Sequence, residues 1–368
     1  MNLAPLQSLY DHPGPFLSVQ LDRSRTTRDA ARLLAARWEA VRADAITLGA
    51  DEATVSAIER ALTDDVHEGG KRGRLLVSAG GAVRLDETLD TPPKRDVARW
   101  WRLPDLLPLV AQAVRRLPYA VVVADRTGAD ITVHTSAGDL RTEVEGQDYP
   151  IRKVAPGGWS QRRYQQRVEN VWEQNAREVA RHIDGVVRAH RPRVVMVAGE
   201  VRARALLREQ LAEPVRDLLV DVEEGGRAAG ASEESLQAAI DRVVAERAEE
   251  EIRSIIETYR EEIGQRDRAV EGLDATVAAL RQGSVAALLV RPDLANGEVW
   301  AGGEPLQIAL SEAQVAAMGA DQPFRVSAGA AVIRAAAATA ADAWCVEEPG
   351  VPLRDGFAAL LRYRAAPS

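Results

Sequence analysis

Cysteine and aromatic residues are scarce in this sequence: its 368 residues include one cysteine, Cys345, and the aromatic share is 4%. A single cysteine excludes an internal disulfide framework and is compatible with a reducing compartment. Because Cys345 lies in the apolar-flanked run Ala-Trp-Cys-Val, we expect a buried structural thiol rather than a nucleophile. Few aromatics beside 46% hydrophobic residues, many of them alanine, favour helix-rich packing over an aromatic β-sandwich.

Long uncharged runs are also absent. The longest extend over about ten residues, whereas a membrane-spanning helix needs about 20. The first basic residue is Arg23, so the start of the sequence lacks the charged region of a secretory signal. We therefore expect a soluble, cytoplasmic protein without a membrane partner.

Histidine is equally sparse, and no metal-binding or catalytic spacing connects the few that are present. The sequence has neither a His-Glu-x-x-His pattern nor a defensible Ser/His/Asp order. The run Glu249–Glu251 has no histidine or cysteine beside it, so a solvated helix face is the simpler interpretation. The stretch Gly69–Arg74 lacks the Gly-x-x-x-x-Gly-Lys-Ser/Thr order of a phosphate loop and indicates a basic turn. We expect no metal and no cofactor. The histidines are His12, His67, His134, His182 and His190.

One basic stretch stands out in an acidic chain. The net charge is -8 at pH 7 and the pI is about 5.4, which argues against a nonspecific nucleic-acid coat and against a DNA partner. From residue 152 to residue 167, however, the sequence has five basic residues and no acidic one, as expected of a surface that faces a polyanion. These residues are Arg152, Lys153, Arg162, Arg163 and Arg167.

A glycine loop followed by a long helix is predicted at this stretch. Gly157 and Gly158, with Pro156 before them, indicate a loop that projects from the surface. Behind the loop, apolar residues recur mostly at spacings of three and four up to His190, the pattern of a helix that packs one face on a core. The apolar positions are Tyr164, Val168, Val171, Trp172, Val179, Ile183, Val186 and Val187.

Changes in composition along the chain predict a mixed α/β fold in several segments. Leu117-Pro118 marks one boundary, and an acidic, glycine-rich linker or surface loop at 221–230 marks another. Three domains and one connecting helix are predicted: an N-terminal α/β domain (1–115), a central α/β domain (116–220) that carries the glycine loop (157–161), a connecting long helix (221–267) and a C-terminal domain (268–368).

Within the N-terminal segment, residues 16–21 predict a strand and residues 51–62 predict a helix. Two short apolar runs around Gly80-Gly81 predict a hairpin. A further helix after the first strand is expected to bury, on one face, Leu33, Leu34, Trp38 and Val41.

The other segments alternate strands with helices. The central one is expected to contain strands at 119–125, 130–134 and 193–199 and a short helix at 202–211. Ser232 is expected to cap the connecting helix. In the C-terminal segment we expect a helix at 270–280, a strand at 284–290, an alanine-rich helix at 328–341, a short strand at 344–346 and a closing element at 356–363.

The stretch from Pro156 to Tyr164 resembles the loop in the central domain of archaeal and eukaryotic class-one peptide-chain release factors, which has the order Gly-Gly-Gln-Ser-x-x-Arg-Phe. Aligned without a gap, Trp159 stands where that family has its catalytic glutamine, and Gln161 follows two places later. Tyr164 replaces the family's phenylalanine. The positions that agree are Gly157, Gly158, Ser160 and Arg163.

A second motif strengthens the resemblance. Residues 272–285, followed by Leu288-Leu289-Val290, resemble the start of the C-terminal domain of release factors and Pelota, a domain of the kink-turn-binding ribosomal-protein type. The whole-chain pattern is most similar to actinobacterial members of the bacterial release-factor-like group, relatives of the ribosome-hibernation factor Balon. The family's stop-codon motif Asn-Ile-Lys-Ser is not found in residues 1–115, so codon-specific termination is not expected.

This resemblance implies a ribosome-associated translation factor that binds the A site of idle ribosomes, in hibernation or protection, with the 156–164 loop directed at the peptidyl-transferase centre. The implied partners are ribosomal RNA, peptidyl-tRNA and, by analogy with Balon, elongation factor Tu as the delivering GTPase. The alternative is a peptidyl-tRNA hydrolase that acts in ribosome rescue with Gln161 as its catalytic residue. A third hypothesis is a protein-interaction module that uses its acidic helix and does not contact ribosomes.

Each candidate site residue also has a plainer interpretation. Gln161 either orients water beside the peptidyl-tRNA ester or is an ordinary polar residue of the first helical turn. Trp159 either stacks on a nucleobase, an interaction of about 1 to 3 kcal/mol, or folds back onto the helix. The basic residues either contact phosphate or keep the helix soluble. The candidate ribosome-binding set is Arg152, Lys153, Gly157, Gly158, Trp159, Ser160, Arg162, Arg163 and Arg167.

Overall fold

The computed structural model describes residues 1, 3–24, 29–63, 71–113, 117–135, 138–145, 159–227, 232–265, 267–348, 350–351 and 353–363, and for residues 30, 113 and 159–168 it describes the backbone alone. The chain forms two compact units, Met1–Val114 together with Ile252–Ser368, and Arg115–Glu251. Helices and several separate sheets are combined, which confirms the predicted mixed α/β class. The predicted segment boundaries at 115, 220 and 267 stay predictions.

Both units combine strands with helices. In chain order, the strands are β1 (Phe16–Asp22), β2 (Gly73–Ala79), β3 (Ala82–Leu89), β4 (Val97–Trp101), β5 (Tyr119–Ala124), β6 (Gly128–Thr135), β7 (Gly138–Glu145), β8 (Val194–Gly199), β9 (Leu219–Asp221), β10 (Ala269–Glu271), β11 (Val285–Val290), β12 (Glu298–Ala301), β13 (Ile308–Ala309), β14 (Phe324–Ser327), β15 (Asp342–Cys345) and β16 (Phe357–Leu361). The α-helices are α1 (Ala30–Thr47), α2 (Glu52–Thr63), α3 (Leu107–Ala113), α4 (Trp159–His190), α5 (Val201–Gln210), α6 (Glu213–Arg216), α7 (Glu233–Gln265), α8 (Leu273–Arg281), α9 (Glu312–Ala317) and α10 (Ala328–Ala338).

The N-terminal sheet of the first unit has the antiparallel order β3-β2-β1-β4. β2 is buried along its whole length because both of its faces are covered. Leu76 packs in a core with α1 and α2, whereas Leu75 and Val77 belong to the main core of the unit. The hairpin between β2 and β3 is the predicted one, and Gly80 and Gly81 adopt the positive φ values, 58° and 74°, that a two-residue hairpin turn requires.

The predicted buried face of α1 needs one correction. Trp38 and Val41 are buried, but Leu33 is 50% exposed. The buried stripe continues to Ala45, and Leu34 lies one turn before Trp38 on the same stripe. Leu33 is therefore about 100° away from this stripe, because successive residues of an α-helix are separated by that angle.

The predicted basic turn at 69–74 is also too long, and its residues 69–70 lie outside the described part of the chain. β2 already begins at Gly73, and Arg74 lies within the strand. Its Nη2 lies 2.6 Å from Asp86 Oδ2 on the neighbouring β3 and donates to the Ala61 carbonyl at 3.0 Å. This arginine therefore joins two strands and α2 rather than forming a solvated turn.

The C-terminal part of the first unit contains a four-stranded sheet of order β10-β16-β11-β15 and a small sheet of order β13-β12-β14. The predicted alanine-rich helix is present as α10 and is buried along nearly its whole length. The main core of the unit combines residues from both ends of the chain, such as Phe16 and Val77 with Leu288 and Phe357. The two chain segments of this unit therefore stabilise each other.

The predicted helix at 270–280 begins too early. Val270 lies in β10, where it pairs with Ala359 of β16, and the helix starts only at Leu273. Gly272 separates the two elements with a φ of 90°, a backbone conformation that favours glycine. The small sheet β12 to β14 and helix α9 were not predicted.

The second unit is built on a five-stranded sheet of order β7-β6-β5-β8-β9. β5, β8 and β9 run parallel, and β5, β6 and β7 form an antiparallel meander. α4 and α5 cover one face through Val179, Ile183 and Leu207, and the start of α7 covers the other through Ile240 and Val243. The predicted strands at 119–125, 130–134 and 193–199 are confirmed in position, but β7 and β9 were not predicted.

The two long helices agree with their sequence patterns. α4 has 32 residues, a length of about 48 Å at about 1.5 Å per residue. Among its described side chains, the first that is fully buried is Asn175, so the C-terminal half provides the packed face. Ser232 caps α7 as predicted, because its Oγ accepts a hydrogen bond from Ser235 N at 3.1 Å.

Candidate nucleic-acid interface

The predicted ribosome-binding stretch lies partly beyond the described residues. Arg152, Lys153, Gly157 and Gly158 are outside them. The remaining candidates occupy the first turns of α4, where the backbone is described and the side chains are not. Their roles therefore stay predictions. These candidates are Trp159, Ser160, Gln161, Arg162, Arg163 and Arg167.

The position at which α4 begins determines which candidate residues belong to its first turn. The helix begins at Trp159, so Gln161 belongs to its first turn, and that turn contains no acidic residue. The first backbone N–H groups of an α-helix have no partner within the helix, and the aligned peptide dipoles give this end a partial positive charge. Residues 159–161 of the loop predicted at 157–161 therefore belong to α4, because the helix already begins at Trp159. The preceding part of the predicted loop leads directly into a helix end that attracts anions.

Helical periodicity relates the first turns of α4 to its packed end. Val179 and Ile183 are buried against the sheet, and Arg181 between them is exposed. Five turns take about 18 residues, so position 161 is in register with Val179 and position 163 with Arg181.

A cluster of side chains, which we call the root cluster, fixes the middle of α4. It consists of Trp172 and Glu169 of α4, Arg126 of the β5–β6 turn, and Glu200 and Arg202 at the start of α5. The guanidinium carbons of Arg126 and Arg202 lie over the Trp172 ring, 5.2 and 4.9 Å from its centroid. Each arginine also binds a carboxylate at 2.7 Å, Arg126 to Glu200 and Arg202 to Glu169. These contacts join α4 to α5 and to the end of β5.

The β5–β6 turn is held by hydrogen bonds from several directions. Asp125 Oδ1 accepts from Thr127 N at 2.7 Å and from Gly128 N at 2.9 Å. The buried Asn175 of α4 donates from Nδ2 to the Arg126 carbonyl at 3.0 Å. Burial of Asp125 disfavours its charged form, but the hydrogen bonds from Thr127 and Gly128, with a nearby arginine, outweigh this and hold its pKa below the usual range.

That arginine is Arg227, from the segment between β9 and α7. Its Nη1 lies 3.2 Å from Asp125, its Nε 3.0 Å from Asp130, and its Nη2 3.0 Å from Glu143. Burial alone would lower the pKa of Arg227, but its hydrogen bonds and charge pairs with Asp130 and Asp125 raise it above the usual value. The sequence indicated only a linker or surface loop here, so the anchoring role of Arg227 was missed.

Two comparisons with known proteins bear on these observations. A sequence model described as bacterial archaeo-eukaryotic release factor family 2 matches residues 118–265, a stretch that includes the central sheet, α4 and α7. The protein Rv2629 of Mycobacterium tuberculosis strain H37Rv is 31% identical over 354 residues, which cover 96% of this chain and 94% of that protein. The chain belongs to the bacterial archaeo-eukaryotic release-factor group. This confirms the resemblance inferred from the glycine loop.

Other relatives of this release-factor-like chain cover most of its length. The protein MT2704 of Mycobacterium tuberculosis strain CDC 1551 is also 31% identical, over 96% of this chain and 94% of its own. Two solved structures align at low similarity. A model of ribosome-bound archaeal Pelota and ABCE1 has 15% identity and a TM-score of 0.42, over 99% of this chain and 95% of that one. The archaeal termination factor aRF1 has 17% identity and a TM-score of 0.27, over 98% and 97%.

The remaining predicted features of this release-factor-like chain concern metals, thiols and membranes. In the part of the chain that the structure describes, no group of acidic, histidine or cysteine side chains is arranged to hold a metal ion. Cys345 is buried, and burial raises the pKa of its thiol to about 12, as expected of a structural cysteine. None of the helices among the described residues is both long and apolar enough to cross a membrane.

Proposed function

We propose that this protein is a ribosome-associated factor that occupies the A site of idle ribosomes, with its 156–164 loop directed at the peptidyl-transferase centre. The observation that carries the proposal is where α4 begins. The helix starts at Trp159, directly after the Gly-Gly pair in the sequence, and it is 32 residues long. Its C-terminal half is packed on a sheet. A loop in this position is carried by a rigid element and can reach into a narrow site.

Charge supports a nucleic-acid partner for this end of α4. The chain as a whole carries a net charge of -8, yet residues 152–167 have five basic and no acidic residues. The first helical turn adds N–H groups that have no acceptor within the helix, and these point towards the same positive end. Ribosomal RNA is a polyanion that such an end would bind, whereas the acidic remainder of the chain would be repelled from it.

Occupation is favoured over hydrolysis because of one substitution. Trp159 stands where the release-factor loop has glutamine, whose amide and backbone help to position the attacking water. An indole has no comparable carbonyl and amide pair, but it offers a flat face that stacks on a base. Trp159 therefore suits a protein that fills the site and protects it from the release reaction.

Ribosome binding can be tested by co-sedimentation with vacant ribosomes at about 0.05 M and about 0.5 M salt. Neutralising the basic turns with Arg162→Ala, Arg163→Ala and Arg167→Ala should weaken binding at low salt. Each lost phosphate contact should reduce the slope of log K against log salt concentration by about 1. Absence of co-sedimentation at low salt for the natural sequence would refute the proposal and would favour the protein-interaction hypothesis.

A control variant on the same helix distinguishes direct phosphate contacts by the first turns of α4 from a general effect of net charge. Arg177, Arg181 and Arg188 lie in the packed half of α4 and are exposed. Their triple alanine variant removes the same net charge while leaving residues 152–167 intact. It should retain both the affinity and the salt slope of the natural sequence. An equal loss in the two variants would mean that long-range charge, not the first turns of α4, determines binding.

The second candidate function is peptidyl-tRNA hydrolysis with Gln161 as the catalytic residue. Its support is the position of Gln161 in the first turn of α4, two places after the residue that aligns with the family glutamine. Cleavage of peptidyl-tRNA on ribosomes by the natural sequence, lost in Gln161→Ala, would favour this function over occupation. Trp159→Gln restores the family residue and should create activity only if the rest of the site retains release chemistry.

Delivery by elongation factor Tu forms the last part of the proposal, by analogy with the hibernation factor Balon. Its test is the rate of ribosome binding with and without elongation factor Tu in the GTP state. A delivering GTPase should accelerate association, and an unchanged rate would argue that this protein enters the A site unaided.

A further inference from the structure

Arg227 is placed so that each nitrogen of its guanidinium meets a different carboxylate. Nη1 pairs with Asp125 at the end of β5, Nε with Asp130 on β6, and Nη2 with Glu143 on β7. The arginine side chain is only 15% exposed. A single residue of the connecting segment 222–227 therefore binds three consecutive strands of the sheet in the second unit.

The strand register shows that this arrangement depends on the arginine. Asp130 and Glu143 are direct cross-strand partners in the β6 and β7 pairing. Like charges directly opposite each other destabilise a strand pair, so two acids at these positions are unfavourable by themselves. The guanidinium of Arg227 binds both acids and Asp125 as well, which turns a repulsive pair into a charge-assisted network.

The same turn is bound from the opposite direction by α4. Asp125 receives Arg227, while the next residue, Arg126, offers its carbonyl to Asn175 at 3.0 Å and its guanidinium to Trp172. The turn 125–128 is thus shared between the connecting segment and the root cluster. If Asp125 lost the arginine, its carboxylate would keep only the local hydrogen bonds from Thr127 and Gly128, and the turn would be fastened from the α4 side alone.

We propose that the three ion pairs of Arg227, which we call the latch, couple the connecting segment 222–227 to the middle of α4 through the turn 125–128. With the latch closed, the segment is fastened to the sheet and the turn holds Asn175 and Trp172 in place. When these ion pairs break, Asp130 and Glu143 repel each other and the turn 125–128 becomes more mobile. The hydrogen bond and ring contact that hold Asn175 and Trp172 of α4 on this turn are then weakened. This device is independent of the ribosomal role proposed above and concerns how firmly α4 is held.

Hydrogen exchange on the full chain tests the latch directly. In Arg227→Ala, peptides that cover 124–131 and 169–177 should both exchange about tenfold faster than in the natural sequence, because hydrogen bonds to charged groups stabilise by roughly that factor. Arg208→Ala is the matched control: Arg208 also binds a carboxylate in this unit, Asp221, which belongs to β9 and not to the turn 125–128 or to α4. Exchange in both peptides should stay unchanged in that variant.

A conservative variant keeps the test usable if Arg227→Ala does not fold. Arg227→Lys retains the charge but replaces a planar fork by a single ammonium group, which cannot serve three carboxylates in fixed directions. Exchange in both peptides should then rise to a level between those of the natural sequence and Arg227→Ala. Raising the salt concentration from about 0.05 to about 1 M should accelerate exchange in the natural sequence and have no such effect in Arg227→Ala.

Two outcomes would overturn the proposal. Faster exchange at 124–131 with unchanged exchange at 169–177 would mean that Arg227 orders the turn without supporting α4. Unchanged exchange in both peptides of a folded Arg227→Ala or Arg227→Lys variant would mean that the three ion pairs do not hold the segment. Neither result depends on whether the protein binds ribosomes.

Discussion

Two glycines of the second unit show that the local backbone decides whether replacing glycine by alanine stabilises or destabilises the protein. Gly199 ends β8 with a φ of +104°, and a Cβ built there would overlap the Ala124 carbonyl oxygen. Gly185 lies within α4, and a Cβ there would meet no atom within 4 Å. Gly199 is required because its φ is positive and the neighbouring strand leaves no room for a side chain. Neither requirement applies to Gly185.

Alanine at these positions should therefore have opposite effects. Gly185→Ala should stabilise the protein by about 0.5 to 1 kcal/mol, because alanine in a helix interior loses less backbone entropy than glycine. Gly199→Ala should destabilise it by about 1 to 3 kcal/mol or more, since a strained φ and a steric clash are both introduced. Urea unfolding of the two variants measures both effects. A destabilised Gly185→Ala would show that α4 needs flexibility at this position.

The buried thiol of Cys345 gives a pH-dependent effect. Its pKa in the folded protein is raised to about 12 by burial, against an ordinary value near 9.0. The folded state therefore binds the proton more tightly, and this contribution to stability is complete below pH 9 and is lost as the pH rises towards 12. Tyrosines ionise alike in both proteins, so their effect cancels in the comparison: between about pH 8 and pH 10, stability should fall with pH less steeply in Cys345→Ala than in the natural sequence. Thiol reagents at pH 8 should modify Cys345 only after unfolding, and rapid modification of the native protein would contradict its burial.

At the scale of whole elements, success of the sequence predictions followed the strength of the periodic pattern. α4 and α7 extend over many turns, so their apolar stripes were recognisable, and the central strands of the second unit are continuous apolar runs. β7 has no such run, because it is an edge strand exposed at every residue but Val144. The short strands β9, β10 and β12 to β14 have too few residues for any period to show.

For the candidate site, too, the sequence allowed prediction only of features that lie within one short stretch of the chain. The glycine loop and the basic stretch are local patterns, and the family resemblance they indicated is confirmed. The root cluster and the Arg227 latch are not local: Arg126 meets Glu200, and Arg227 meets Asp125, only after the sheet and helices have formed. A single sequence contains no signal that brings these distant positions together.

One element-scale prediction compares two asparagines of α4. Asn175 is 3% exposed and donates to the Arg126 carbonyl, whereas Asn170 is on the exposed side of the same helix. Asn175→Ala should cost about 1 to 3 kcal/mol, because a hydrogen bond that fastens α4 to the β5–β6 turn is lost at a buried position. Asn170→Ala should be neutral or slightly stabilising, since alanine is the better helix former. Equal effects on the unfolding midpoint would contradict the role of Asn175.

For the molecule as a whole, the composition of the cores decides which parts can fold alone. The second unit has two cores, one on each face of its sheet, and all of their residues lie between 119 and 244. The main core of the first unit instead mixes residues 3–110 with residues 273–361. Gln7 also donates from Nε2 to the Ala337 carbonyl at 2.6 Å, across almost the full length of the sequence.

Fragments should therefore behave differently according to these cores. Residues 115–251 expressed alone should show a cooperative unfolding transition, because both faces of their sheet remain covered. Residues 1–114 alone should lack one, since the helices and strands of 273–361 that complete their main core are missing and β2 would expose one face. Adding residues 252–368 as a separate chain should restore cooperative unfolding to 1–114. Cooperative unfolding of 1–114 by itself would instead show that its core with α1 and α2, around Trp38 and Leu76, is sufficient.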